Sequence, residues 1–286
     1  MPVIGRLAVM NNNEINLFDA ALSCLLIKQP EDKIQAVREL NENWLSDRQC
    51  LSISDLHIAD AQLIAIPGRP DRPKLVDPRE VPKRGFNSES ARIKLVHAIT
   101  HIEFNAINLA LDAVYRFRGM PKQYYTDWLN IAVEEALHFS LLENYLKSKG
   151  SFYGACDSHN GLWEMAVKTD HDVLVRMALV PRVLEARGLD VTPGMIKKFE
   201  SIGESELVDV MNIIQRDEIG HVERGNYWFN NLCQQRSISP SETFHQLLDE
   251  YMEESMFDSL NQEARIAAGF SKQELIELAA RNRHTI

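Results

Sequence analysis

The stretch RDEIGHVERGNYWF, residues 216–229, places a carboxylate at Glu218 and an imidazole at His221, three positions later. Side chains three residues apart on an α-helix lie about 60° apart around the axis and roughly 4.5 Å apart along it. Both can therefore point at one ion. The stretch predicts a helix that offers one oxygen ligand and one nitrogen ligand to a metal.

A second stretch with the same spacing is NIAVEEALHFSLLENY, residues 130–145, in which Glu135 precedes His138 by three positions. The spacing occurs again from Glu242, but Ser239 and Glu242 fit a capping box at a helix start. We therefore interpret Glu242 as a capping residue and keep the other two pairs as candidate ligands.

Each of these two pairs follows another glutamate at a similar distance. Glu103, in HAITHIEFNAINLALDAV, comes 32 residues before Glu135, and Glu185, in MALVPRVLEARGL, comes 33 residues before Glu218. Two antiparallel helices joined by a tight turn bring residues at such separations to the same height. The second half fits this scheme less regularly, because Gly188 is a predicted helix end soon after Glu185.

Four helices of this kind would gather four glutamates and two histidines around one centre. A Glu from each of two helices, with Glu-x-x-His from each of the other two, is the ligand set of di-iron and di-manganese bundle proteins. Four carboxylates match the charge of two divalent ions, and without metal they would repel each other in a buried site. Oxygen and imidazole ligands favour iron or manganese, so the predicted cofactor is two Fe ions, two Mn ions or a mixed pair. The predicted metal ligands are Glu103, Glu135, His138, Glu185, Glu218 and His221.

The periodicity of apolar residues predicts an all-α fold, a four-helix bundle with additional N-terminal and C-terminal helices. The predicted bundle helices cover about 87–118, 121–149, 161–187 and 204–235, and shorter helices lie within 14–46, 240–260 and 271–283. A further short helix begins at Thr192 and Pro193. The corresponding parts of the chain are an N-terminal extension at 1–66, a proline-rich segment at 67–86, the bundle at 87–236 and a C-terminal extension at 237–286.

The proline-rich segment holds five of the eleven prolines, so it cannot be a regular helix. It also carries six basic residues against three acidic ones. We expect an extended wrap over the helical body, and the alternative is a basic strip that docks a ligand. The basic residues are Arg69, Arg72, Lys74, Arg79, Lys83 and Arg84.

The composition restricts the compartment and the partners. The chain is 45% apolar and 25% charged, with a formal charge of −10, which argues against duplex nucleic acid as a partner. It has neither an apolar run long enough for a membrane span nor a signal-peptide core. None of the four cysteines stands in a C-x-x-C pair. We expect a cytoplasmic protein with reduced thiols.

Five stretches carry a resemblance to a known family: PGRPDRPKLVDPREVPKR, HAITHIEFNAINLALDAVYRF, VEEALHFSLL, LVPRVLEARGLDVTP and RDEIGHVERGNYWF. They resemble the ferritin-like superfamily of carboxylate-bridged dimetal proteins, and more narrowly an uncharacterised bacterial family with a ferritin-like domain of unknown function. The nearest relatives with assigned chemistry, by this resemblance, are tRNA hydroxylases that act on a hypermodified adenosine. The resemblance implies a ferritin-like four-helix bundle.

The resemblance also implies a role for each candidate ligand. The two ions would be held by Glu103, Glu135 and His138, and by Glu185, Glu218 and His221. Glu135 and Glu218 would bridge the ions. Glu134 and Asp217 resemble the carboxylates that accept the other ring N–H of a ligating histidine and so fix its orientation.

Other conspicuous residues have plainer interpretations. His97 and His101 predict a hydrogen-bonded or surface pair rather than extra ligands. Tyr145 and Trp228, each seven residues after a candidate ligand, are core aromatics or redox-active side chains. Pro181 should remove a backbone hydrogen bond and kink its helix near Glu185.

Three functions fit these observations. The first is an oxidoreductase that uses dioxygen and an unknown reductant to oxidise or hydroxylate an organic substrate, such as a modified nucleotide, a lipid or a small metabolite. The second is iron oxidation and storage. The third is a bundle that its metals only stabilise. The additional segments outside the four helices favour the first.

Overall fold

A computed structural model describes residues 15–46, 51–53, 60–252 and 259–281 of the chain. Among these residues the fold is helical, and its strands are a parallel pair of two residues each, β1 (Ile15–Asn16) and β2 (Leu51–Ser52). The all-α prediction is confirmed. The helices are α1 (Leu17–Leu25), α2 (Pro30–Ser46), α3 (Glu89–Arg116), α4 (Lys122–Ser148), α5 (Gly161–Lys168), α6 (Val173–Leu179), a π-helical segment (Val180–Glu185), α7 (Ala186–Ser201), α8 (Ser205–Gln235), α9 (Pro240–Tyr251), α10 (Gln262–Ala267) and α11 (Lys272–Arg281).

The first half of the bundle is a hairpin of the two long helices α3 and α4. Ser88 caps α3, since its side-chain oxygen accepts a hydrogen bond from the backbone N–H of Ala91 at 3.2 Å. Gly119 turns the chain between the helices with a φ of 74°, which glycine adopts without steric cost. The short connection makes the helices antiparallel, so the middle of α3 faces the middle of α4.

The third column of the bundle differs from the single helix predicted over 161–187. The chain forms α5, breaks, and restarts as α6, where the Asp172 side chain accepts a hydrogen bond from the N–H of Leu174 at 2.8 Å. α6 then passes into the π-helical segment, Val180–Glu185, which contains Pro181. Pro181 has no N–H to donate, so an irregular turn at this position fits the expected kink.

The predicted end of this helix at Gly188 is wrong, because α7 runs through Gly188 and also includes Pro193. A glycine inside a helix costs only about 1 kcal/mol relative to alanine, and tertiary packing overrides that cost. Pro193 cannot donate a hydrogen bond to the carbonyl of Leu189, four residues earlier. That carbonyl instead accepts one from the Asn261 side chain at 3.1 Å. The separate helix predicted from Thr192 is therefore the second half of α7.

Helix α8 lies directly against the π-helical segment. A Cβ added at Gly225 would lie 2.3 Å from the Cβ of Pro181, so only glycine fits. Gly225 follows His221 by four residues, and Pro181 precedes Glu185 by four. The contact therefore sets α8 and the π-helical segment at matched heights, with both candidate ligands one turn away.

The N-terminal helices predicted within 14–46 cover the hairpin. Helix α1 packs on α3, and α2 packs on α4. The indole N–H of Trp44 donates a hydrogen bond to the hydroxyl of Thr126 at 2.8 Å, which joins α2 to α4. These helices extend the apolar core away from the bundle axis.

The proline-rich segment at 67–86 contains no α-helix and runs along the surface of the helical body. The N–H of Gly68 donates to the carbonyl of Leu25 at 2.9 Å, and the N–H of Val76 donates to the carbonyl of Ser158 at 2.9 Å. The segment therefore ties the end of α1 to the loop before α5. The alternative role, a basic docking strip, stays a prediction.

Two remaining expectations concern membranes and thiols. None of the described helices combines the length and apolar composition needed to cross a bilayer. Cys24, Cys156 and Cys233 are free thiols. Cys50, also expected to be reduced, lies outside the described residues.

The tight contact at Gly225 gives the first testable expectation. Replacing Gly225 with alanine forces a methyl group into the rigid ring of Pro181, so we expect Gly225→Ala to lower the free energy of unfolding by about 2 kcal/mol or more. Chemical denaturation measures the change. The matched control is Gly194→Ala in α7, where an added Cβ meets nothing within 4 Å, and it should be neutral or slightly stabilising. Equal stability of the two variants would contradict the close approach.

Candidate metal centre

A cluster of carboxylates and imidazoles lies in the middle of the bundle, between α3, α4 and α8. Glu103, Glu135 and His138 are each at most 3% exposed. Together with the half-buried Glu218, they each offer one ligand atom, and these four atoms all lie within 4.8 Å of one another. This separation is small enough for a single ion to contact all four.

His138 occupies the α3 side of the cluster. Its Nδ1 lies 3.3 Å from an oxygen of Glu103 and 3.4 Å from an oxygen of Glu135. Its Nε2 lies 3.2 Å from an oxygen of Asp217 on α8. The ring therefore turns one nitrogen to the cluster and the other to a carboxylate of the opposite helix.

His221 repeats this arrangement from α8. Its Nδ1 lies 2.9 Å from an oxygen of Glu135 and 3.8 Å from an oxygen of Glu218. Its Nε2 lies 2.7 Å from an oxygen of Glu134 on α4. Glu135 thus directs one oxygen to each histidine, whose ring centroids are 5.8 Å apart.

The two outer carboxylates set the tautomers of the histidines. Asp217 and Glu134 are acceptors when ionised, so each holds the proton of the imidazole on the Nε2 that faces it. In the neutral imidazoles the Nδ1 lone pairs are then left for the cluster. These are the hydrogen bonds expected for Glu134 and Asp217, and each joins α4 to α8. The Arg216 guanidinium also pairs with Asp217, at 2.8 Å.

Glu185 stands beside the cluster, at the end of the π-helical segment. It is not among the four residues whose ligand atoms converge within 4.8 Å, and neither is His221. Burial and the nearby charge of Glu135 raise the pKa of Glu185 to about 7. The charge of Glu135 raises the pKa of Glu185 and that of His221 lowers it, so both act on Glu185 electrostatically.

The buried carboxyl groups of the cluster need nearby positive charge in order to ionise. Burial and the neighbouring Glu135 raise the pKa of Glu103 to about 8, and burial also raises the pKa of Glu218 well above its ordinary value. Burial opposes ionisation of Glu135 too, yet the adjacent His221 and His138 hold its pKa below the usual range. Burial disfavours the charged form of His138, but the adjacent carboxylates of Glu103 and Glu135 raise its pKa to about 11. The acids are therefore ionised only where a cation accompanies them.

Five buried polar atoms of this cluster have no hydrogen-bond partner in the protein. Both oxygens of Glu135, one oxygen each of Glu185 and Glu218, and Nδ1 of His221 are buried and have no hydrogen-bond partner. The 2.9 Å approach of His221 to Glu135 is a close contact without hydrogen-bond geometry. Buried polar groups are almost always paired, because leaving them unpaired costs free energy. A metal ion would pair these atoms, so the residues present fit one.

The other residues noted in the sequence have structural partners. Nε2 of His97 accepts a hydrogen bond from the N–H of Gly154 at 2.9 Å, and the His101 ring nitrogens contact a tyrosine hydroxyl and a backbone carbonyl. The Tyr145 hydroxyl donates to Glu204 at 3.0 Å. The Trp228 indole donates to Asp127 at 2.9 Å. The expectation that His97 and His101 are hydrogen-bonded residues is thus confirmed.

Sequence reasoning missed how Glu185 reaches the cluster. The regular helix predicted over 161–187 is broken before α6, so its geometry does not explain how Glu185 comes to lie near the cluster. Pro181, which the sequence marks as the position of a kink, lies within the π-helical segment. Segments of this kind are frequent at functional sites.

Comparisons with known proteins place the chain in a family. A family model described as "Protein of unknown function (DUF455)" matches residues 26–276. An uncharacterised protein from Haemophilus influenzae is 43% identical over 261 residues, which is 88% of this chain and 90% of that protein. No solved structure matches the chain. The uncharacterised bacterial family expected from the sequence is confirmed to this extent: the chain belongs to the DUF455 family of proteins of unknown function.

Proposed function

We propose that this protein holds two iron or manganese ions and uses them, with dioxygen and electrons from a separate reductant, to oxidise or hydroxylate an organic substrate. The proposed ligands are the six predicted from the sequence. One ion is assigned to Glu103, Glu135 and His138, and the other to Glu185, Glu218 and His221. Glu135 and Glu218 are assigned to both ions as bridges.

The observation that supports a pair of ions is the group of unpaired buried atoms. Four acids that repel each other, two imidazoles with outward-held protons and five unpaired ligand atoms meet in one buried region. One ion could satisfy His138 and the three carboxylates that converge with it. Glu185 and His221 would remain, and together with Glu218 they form a second set of the same composition. Two ions therefore account for the whole cluster.

The chemistry of the donor atoms supports iron or manganese. All six proposed ligands offer carboxylate oxygen or imidazole nitrogen, and none is a thiolate. Such ligands suit iron and manganese, whereas copper(I) and structural zinc sites favour sulfur. The same ligand types in a helical bundle are found in ferritin-like dimetal proteins, so a ferritin-like relationship is part of the proposal.

When bound, the two ions would supply the redox chemistry that activates dioxygen. The chain's own residues would orient and insulate the site. Glu134 and Asp217 hold the imidazoles in one tautomer. The apolar side chains of the core exclude water around the cluster, which strengthens the electrostatic contacts within it.

The first prediction of the proposed function concerns metal content. We expect protein reconstituted anaerobically with Fe(II) or Mn(II) to hold two ions per chain, measured by elemental analysis. Glu135→Gln should lower this to one ion or less, because Glu135 faces both histidines. Glu223→Gln, on the exposed face of α8, is the matched control and should keep both ions. Wild-type protein that stays metal-free in excess Fe(II) and Mn(II) would refute a metal function.

The second prediction concerns pH. Protons and metal ions compete for the same atoms, and the pKa values of Glu103 at about 8 and Glu185 at about 7 mean that both acids are largely protonated near pH 6 in the metal-free protein. Metal binding must therefore release protons. We expect metal affinity to rise steeply between pH 6 and pH 8, by more than tenfold per pH unit. Titration calorimetry in buffers of different ionisation enthalpy measures the release. An affinity independent of pH would contradict the proposed ligands.

The third prediction separates an enzyme from a storage protein. Iron-loaded wild type and Glu135→Gln are incubated with a reductant, ¹⁸O₂ and a small-molecule extract of bacterial cells. We expect a product with one ¹⁸O atom from wild type only, detected by mass spectrometry. If no labelled product forms and Fe(III) instead accumulates far beyond two ions per chain, iron storage is the correct function.

A further inference from the structure

The two halves of the proposed site are supported in different ways. Glu103, Glu135 and His138 project from α3 and α4, two regular helices joined by a short turn. Glu185 projects from the end of a π-helical segment that is followed, within α7, by Pro193. Irregular backbone of this kind holds its position only when surrounding contacts determine it.

Those contacts come from the C-terminal extension. Before Glu185, the guanidinium of Arg182 is 1% exposed and pairs with Glu274 of α11 at 2.7 Å. The same guanidinium lies over three phenylalanine rings, with its central carbon 4.2 to 5.1 Å from the ring centroids. The rings belong to Phe229, Phe244 and Phe270. Two of the three, and the carboxylate, lie beyond α8 in the chain.

A second set of contacts follows Glu185. Arg265 pairs with Asp190 at 2.7 Å, and its guanidinium also donates to the carbonyl of Ala186 at 3.4 Å. Asn261 donates to the carbonyl of Leu189 that Pro193 leaves unbonded. The segment 261–274 therefore holds the backbone on both sides of Glu185.

The same segment is attached to α8. The side chain of Asn226 donates a hydrogen bond to the carbonyl of Ala268. Asn226 lies five residues after His221, on the helix that also carries Glu218. The C-terminal segment thus bridges the two elements that supply the second group of ligands, and the bonds described for it do not reach α3 or α4.

We propose that Arg182 and Glu274 are positioning residues for one of the two ions: through this buried pair the C-terminal segment holds Glu185 at the distance from Glu218 and His221 that the second ion needs. This inference rests on the proposed function, since it assumes that two ions bind. Loss of the pair releases the second ion and leaves the ion at Glu103, Glu135 and His138 in place.

The test uses Mn(II) as the probe and two closely matched variants of the full chain. Glu274→Gln removes the charge that neutralises Arg182, while Glu277→Gln makes the same change one turn later on α11, where the side chain contacts Ser241 and His245 instead. Equilibrium dialysis measures the affinity of each ion. Electron paramagnetic resonance distinguishes an exchange-coupled Mn(II) pair from a single Mn(II) with six lines.

We expect wild type and Glu277→Gln to bind two Mn(II) ions and give the signal of a coupled pair. Glu274→Gln should bind the first ion with unchanged affinity and the second at least tenfold more weakly, and its six-line signal should dominate at one equivalent and persist at two. A simple loss of stability would weaken both ions together.

A second variant guards against poor folding. The double variant Arg182→Met with Glu274→Leu removes both charges, so no unpaired ion stays buried, and such replacements commonly preserve stability. It should show the same selective weakening of the second ion. The inference is overturned if both variants bind two ions with wild-type affinities, or if the two ions weaken equally. Wild type that binds no Mn(II) or Fe(II) would instead overturn the proposed function itself.

Discussion

The structure depends on how four carboxylates can share one buried space. Ionised acids repel each other and lose hydration when buried, so the middle of this bundle is unfavourable unless positive charge enters it. The two histidines supply part of this positive charge, since Glu135 directs an oxygen to each of them. The unpaired oxygens that remain on Glu185 and Glu218 show that the histidines alone do not complete the cluster. The rest of the fold can be understood as the support that keeps these charges together.

The two halves of the bundle are supported in different ways. The α3–α4 hairpin is local: a five-residue connection joins two long helices, and their packing places Glu103 opposite Glu135. The other half is assembled from distant parts of the chain. α8 approaches the π-helical segment at Gly225, where only glycine fits, and residues near the C-terminus complete the hydrogen bonds that Pro193 leaves open. A helical bundle can therefore carry an irregular column when a later segment compensates for it.

The sequence was sufficient for the parts of the fold that arise from short-range pattern. Periodicity predicted α3, α4 and α8 to within a few residues, and the repeated Glu-x-x-His spacing singled out residues that the structure brings together. It failed where a distant partner decides the local conformation. Gly188 predicts a helix end when considered alone, yet α7 continues through it because Asn261 and Arg265 hold the chain from 70 or more residues away. No local signal contains such a pairing.

The outer carboxylates of the two histidines lie in different surroundings. The side chain of Glu134 is 47% exposed, whereas that of Asp217 is only 12% exposed and is already paired with Arg216. Asp217 therefore interacts with both a guanidinium and an imidazole, while Glu134 accepts a hydrogen bond from His221 and is exposed to bulk water. Dissolved salt reaches Glu134 more easily and weakens its hold. The two imidazoles consequently differ in basicity, although the two proposed groups of ligands have the same composition. The difference arises from carboxylates at the edge of the site rather than from the ligands themselves.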